Sequence, residues 1–248
     1  MLTMIPEILS RDAILEVNFE IRFEPSQNSM PEIILGRLSE PYLQKGFSVE
    51  RLPIGEIPQA VRDRDASLQY QPLVRLHSKD SQFRVSVGNR SYNFAVVRKY
   101  CGWKELIKEL RRFIQHFFQS NIHTEIQRLG LRYQNALTSP DHCIESLFDL
   151  NVELAIAGEE VSTPVSITYT KQHTSTLKSI CRIVSSEYVQ GDVPKGTSAL
   201  IDIDMFSDAF GTGSEETVLE WAEVAHQHEK LQFFSILPTS VIQKLEIK

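Results

Sequence analysis

The chain contains no Cys-x-x-Cys pair and no complete nucleotide-binding glycine motif. It has no apolar run approaching the ~20 residues that a membrane helix needs. Its three cysteines, Cys101, Cys143 and Cys181, are far apart and odd in number. That argues against a disulfide framework and a zinc knuckle, and fits a reducing compartment. The opening Met1 to Glu7 has no basic segment ahead of an apolar core, so no signal peptide is expected. Positive charge is in short supply: 26 Lys and Arg stand against 32 Asp and Glu, for a net charge of −6. An acidic chain repels phosphate backbones overall, which disfavours nucleic acid as a general partner. These absences predict a cytoplasmic protein with no membrane partner.

What is present is ordinary globular material. The composition is 42% hydrophobic and 23% charged over 248 residues. A chain of that size buries roughly 70–75% of the surface that its unfolded form exposes, so a core can form without metal or disulfide. Between Ile14 and Phe23, Leu15, Val17, Phe19, Ile21 and Phe23 alternate with Glu16, Asn18, Glu20 and Arg22. Period two with one apolar side predicts a half-buried strand whose other side is charged. Ser29-Met30-Pro31-Glu32 reads as a helix start with Ser29 as N-cap, and the helix is placed near 31–45. The prolines and the charged run of 46–71 read as a long exposed connection. Short turns between alternating segments near 73–76, 83–87 and 92–96 predict antiparallel hairpins.

The segment 103–119 carries the strongest helical signal, with Trp103, Leu106, Ile107, Leu110, Phe113, Ile114 and Phe117 on one face and Lys, Glu and Arg on the other. The second half predicts a strand over about 123–137 and a short helix over 142–149. Strand-like runs follow at 150–157, 164–171, 176–188 and 199–206, and then a helix over 215–234 with Ser214 as N-cap. The expected class is α+β: a mainly antiparallel curved sheet with two long amphipathic helices on one face. Each half reads strand, helix, several strands, long helix, which suggests two structural repeats, 1–121 and 122–248, within one compact unit.

Few residues invite chemistry. Asp202 and Asp204 lie two apart on a predicted strand, so their carboxylates share a side, roughly 6.5–7 Å apart. They suit a divalent cation or acid–base work, or else form a solvated strand face or partner Arg22, Arg132 or Arg182 across the sheet. Glu20, Arg22, Arg132 and Arg182 extend the same charged surface. It reads either as a binding surface or as a ladder of ion pairs. His226 and His228 diverge by about 200° on a helix, so they do not chelate one ion readily; His226 is expected towards the core and His228 towards water. Gly211-Thr212-Gly213-Ser214 reads as a loop ending in an N-cap, because it lacks the P-loop lysine. Adjacent His142 and Cys143 are not expected to act as a base–nucleophile pair. Arg98, Lys99, Lys104, Lys108, Arg111 and Arg112 form the one basic cluster, diluted by Glu105 and Glu109 into i,i+4 pairs.

Several segments together resemble a known family. They are Ala13-Ile-Leu-Glu-Val17 with Phe19-Glu-Ile-Arg-Phe23, Gly102-Trp103, Arg128-Leu-Gly-Leu-Arg-Tyr-Gln-Asn135, Leu200-Ile-Asp-Ile-Asp204, and a late helix with His226 and Phe233. The chain is similar over almost its whole length to a sporadically distributed family of conserved hypothetical bacterial and archaeal proteins. The resemblance implies no activity, cofactor or catalytic residue; the family's scattered distribution implies a mobile-element or defence setting. Gln134 departs from the aliphatic residue expected at that place.

The leading expectation is a non-enzymatic protein-binding or regulatory accessory protein. Another protein is its expected partner, and a homodimer is compatible with the sequence. No catalytic residue, metal ligand or cofactor is assigned. One alternative is a small-molecule binder with a cavity between sheet and helix, motivated by Trp103, Phe113, Phe117, Trp221, Phe233 and Phe234. The other is a metal-dependent phosphodiesterase or nuclease using Asp202 and Asp204.

Overall fold

A computed structural model describes residues 9–27, 29–97 and 99–245. The opening Met1 to Glu7 and Arg98 of the basic cluster lie outside the described residues. The protein is α+β, built on a large antiparallel sheet. Strand β1 (Ile14–Pro25) precedes helix α1 (Pro31–Gln44), the short strand β2 (Ser48–Arg51) and a one-turn helix α2 (Gln59–Arg62). Strands β3 (Val74–His77), β4 (Phe83–Val87) and β5 (Ser91–Val97) lead into α3 (Trp103–Ser120). After β6 (His123–Thr138) come the turn α4 (Ser139–His142) and strands β7 (Ala155–Ile156), β8 (Glu159–Glu160), β9 (Ser166–Gln172), β10 (Lys178–Ser185) and β11 (Thr197–Gly211). Helices α5 (Glu215–Ile236) and α6 (Thr239–Leu245) close the chain. The sheet has nine strands in the order β2-β3-β4-β5-β1-β6-β11-β10-β9, and β7 and β8 pair separately. No helix among the described residues is long and apolar enough to cross a membrane.

Two compact units divide the chain. One comprises Val17–Leu131 with Phe206–Glu223. The other comprises the described residues of Met1–Glu16, Arg132–Met205 and Val224–Lys248.

In the first unit, the alternation of β1 puts Phe19, Ile21 and Phe23 into the core. Helix α3 presents Leu106, Leu110, Phe113, Ile114 and Phe117 to the same interior. Phe113 meets Phe19 edge-on at 6.1 Å between ring centroids and stacks on Tyr92 at 4.0 Å. Phe117 meets Phe23 at 5.3 Å, and Trp221, on the first half of α5, lies 6.3 Å from Phe19. Both long helices therefore press on the apolar side of β1. Tyr92, fully buried, donates its hydroxyl to Tyr42 of α1 at 3.1 Å, which satisfies a polar group that the core would otherwise strand. The tight β4–β5 turn requires Gly88: a Cβ there would stand 2.7 Å from the Gln71 carbonyl oxygen.

Three local expectations are corrected. Met30, not Ser29, is the N-cap of α1; the Ser29 hydroxyl bonds to that of Ser26 at 2.6 Å, and Pro31 begins the helix with no side-chain cap. The region 46–71 is largely exposed as expected, but it is not without structure: it holds β2, a 3-10 turn at Pro53–Glu56, and α2. The segment 142–149 is not a helix. His142 ends a single turn, Cys143 takes a left-handed conformation at φ 56°, and Asp149 closes a capping box with Ser146.

In the second unit, Ser179, Cys181 and Ile183 of β10 alternate into the interior beside Ile201 and Ile203 of β11. The chain after the 3-10 turn Leu147–Asp149 is tied to the end of α5 by Asn151, whose amide donates to the carbonyls of Ser235 at 3.1 Å and Leu237 at 2.9 Å.

Candidate functional site

Glu20, Arg22, Arg132 and Asp202, singled out in the sequence, are each held in an ion pair. In the first unit, Glu20 accepts from Arg22 Nε at 2.9 Å and from Arg128 at 2.6 Å. The Arg22 guanidinium also lies over the Tyr70 ring, 4.9 Å from its centroid, and Arg128 lies over Phe206 at 5.0 Å. Arg128 is absent from the candidate residues drawn from sequence. Its signal was available, since it stands four places before Arg132 on the same strand parity.

In the second unit, Arg132 grips Asp202 with both arms: Nε to Oδ1 at 2.7 Å and Nη2 to Oδ2 at 2.5 Å. The Asp202 side chain is only 9% exposed, so both of its oxygens are committed to the fork. That bond raises the Arg132 pKa above its ordinary value, helped by the charges of Asp204 and Glu16. Arg182 is exposed on β10, opposite Thr168 of β9. Among the described residues no group of three His, Cys, Asp or Glu side chains could hold a metal ion.

A polar network that the sequence did not reveal joins the β9–β10 hairpin to the second half of α5. Ser179 donates to Gln232 Oε1 at 2.8 Å, so its oxygen is left to accept from His173 Nε2 at 2.9 Å. The Gln232 amide donates to the Tyr169 hydroxyl at 3.2 Å, and that hydroxyl turns towards the Cys181 thiol. The bonds form one directional series from imidazole to thiol. Burial pushes the Cys181 thiol up to about 11 and the Tyr169 hydroxyl up to about 12. A thiol so protonated is a poor nucleophile. Beside it Glu229 is buried, and its charge bears on the thiol. Burial raises its pKa to about 8.

The histidines of α5 diverge as helix geometry requires. His226 Nδ1 meets the Tyr133 hydroxyl at 3.1 Å, and burial lowers its pKa to about 4. His228 is half-buried rather than directed to water, because the His173 ring lies 5.1 Å away. His142 faces the interior and accepts from the Thr138 backbone N–H at 3.0 Å, while the neighbouring Cys143 is exposed. Ser214 accepts from Thr217 N–H at 3.2 Å and its own N–H donates to Thr217 Oγ1 at 2.8 Å, so this loop is spent on capping α5. On α3, Lys108 pairs with Glu105 at 2.7 Å and Arg112 with Glu109.

One edge of the sheet is long and exposed. Strand β9 ends the sheet, and six of its seven residues are exposed. Its register with β10 runs without a break from Ser166↔Val184 to Gln172↔Lys178. Just beyond each end, Ser185 N–H donates to the Val165 carbonyl and His173 N–H to the Leu177 carbonyl, both at 2.9 Å. In an antiparallel ladder such pairs alternate, so the odd residues of β9 turn their backbone groups to β10. The N–H and C=O of Ser166, Thr168, Thr170 and Gln172 therefore point away from the sheet.

No protein-family model matches this chain, and no curated protein matches it with significance.

Proposed function

We propose that the protein is a non-enzymatic protein-binding accessory or regulatory protein. The observation that supports this best is the open edge of β9, a run of backbone donors and acceptors of the kind that partner proteins use for docking. The ion pairs add to it, because Asp202 with both oxygens in the Arg132 fork is poorly placed to serve as a metal ligand or base. To test the reading, a photo-crosslinking residue is placed at Thr168, at Lys108 on α3 or at Arg11, each in the native host. A single stoichiometric partner is expected from at least one position. Absence of any partner from all three, with substrate turnover by the purified protein, would refute the reading.

A further inference from the structure

The two ends of the sheet differ in how they are protected. Strand β2 is four residues long, carries Glu50 and Arg51, and runs into Pro53. Short length, charge and proline are the devices by which edge strands avoid pairing. Strand β9 is seven residues long, and its sequence Ser-Ile-Thr-Tyr-Thr-Lys-Gln is rich in strong strand formers with no proline. Its one charge is Lys171.

The hairpin is also electrostatically out of character. From Val161 to Ser186 there is no Asp or Glu, yet Lys171, Lys178 and Arg182 all fall there, in a chain whose net charge is −6. Lys171 and Arg182 are exposed. On the face away from α5, Arg182 stands opposite Thr168 and Ile180 opposite Thr170, and Ile180 is 38% exposed. A strand laid along β9 would therefore meet hydroxyls, one apolar side chain and positive charge. A second copy of the same edge would bring a second set of like charges.

We propose that β9 accepts an extended acidic segment of a protein partner, which adds to the sheet as a tenth strand through Ser166, Thr168, Thr170 and Gln172. This rests on the protein-binding reading and specifies the surface, the mode and the chemistry of the partner. Main-chain bonds give the affinity, and Asp or Glu side chains near Lys171 and Arg182 give the selectivity.

The test uses a phage-displayed library of random twelve-residue peptides, selected on the full protein and on a Thr168→Pro/Thr170→Pro double variant that lacks two outward N–H groups. Proline is tolerated at outward edge positions, and an unchanged melting transition checks that this variant folds. The expected result is enrichment of Asp and Glu, binding weakened about tenfold or more by the double variant, and a comparable loss on Lys171→Glu/Arg182→Glu. With the best peptide bound, amide exchange at Thr168 and Thr170 should slow markedly, while Tyr169 is already protected in the free protein. Peptides without acidic enrichment, or with equal binding to the variants, would overturn the proposal. So would Thr168 and Thr170 amides already protected in the isolated protein in proportion to dimer formation, since the occupant would then be a second copy. Crosslinking from Lys108 or Arg11 alone would leave the protein-binding reading intact and remove this one.

Discussion

Glu229 gives the sharpest quantitative expectation. Its carboxyl is 4% exposed, and burial lifts its pKa from 4.5 to about 8. In the unfolded chain the same group ionises near 4.5. At pH 7 the folded protein must therefore hold a proton that the unfolded chain releases. The cost is about 1.4 kcal/mol for each pH unit above the unfolded pKa, or about 3 kcal/mol at neutrality. The sign follows from a raised folded pKa: the full stability is present below about pH 4.5, is eroded as the pH rises to about 8, and is flat beyond, with about 5 kcal/mol lost in all. Glu229→Gln keeps the shape and removes the proton equilibrium. In urea unfolding it should be nearly neutral close to pH 4.5, stabilising by about 3 kcal/mol near pH 7 and by about 5 kcal/mol near pH 9. His226, lowered to about 4, acts in the opposite window: its contribution is present above about pH 6.5 and lost as the pH falls towards 4. It cancels in the difference between the two proteins. A stability difference that does not change with pH would refute the reasoning, because it would mean that Glu229 is ionised in the fold.

Other expectations concern the ion pair and the thiols. Arg132→Leu should cost about 2 kcal/mol, discounted for the partial exposure of the arginine, by leaving Asp202 desolvated and unpaired. Adding Asp202→Leu should restore part of that, and a double-mutant cycle that yields no coupling would remove the fork as a stabilising element. With a thiol reagent at neutral pH, Cys143 should react at once and Cys181 only on unfolding, since burial holds the latter protonated. Rapid native modification of Cys181 would contradict that.

Helix α3 and strand β1 were legible because their periodicities are long and uninterrupted, so the predicted 103–119 and the observed Trp103–Ser120 nearly coincide. Strand β2 was not, because a four-residue exposed edge strand has no apolar alternation to betray it. The short helix expected over 142–149 fails for a local reason: Cys143 turns left-handed, and the Asp149 and Ser146 side chains take the N–H groups of Glu145, Ser146 and Phe148 that a helix would use. The pairing of Arg132 with Asp202 was one of several open readings, since strand parity gives the face of a side chain but not its cross-strand neighbour. The network from His173 to Cys181 was invisible because its members come from a turn, two strands and a helix, and no spacing rule joins them.

The pleat of β9 has a consequence for how the strand can change. Tyr169 reaches the polar network through its hydroxyl, whereas Thr168 and Thr170, on either side of it, have the opposite pleat. A scan along the strand should show a two-beat rhythm, in which alternate positions are constrained by folding and the intervening ones are free to be retuned. A lineage could thus rewrite what this edge selects, one hydroxyl at a time, without reopening the question of whether the domain folds.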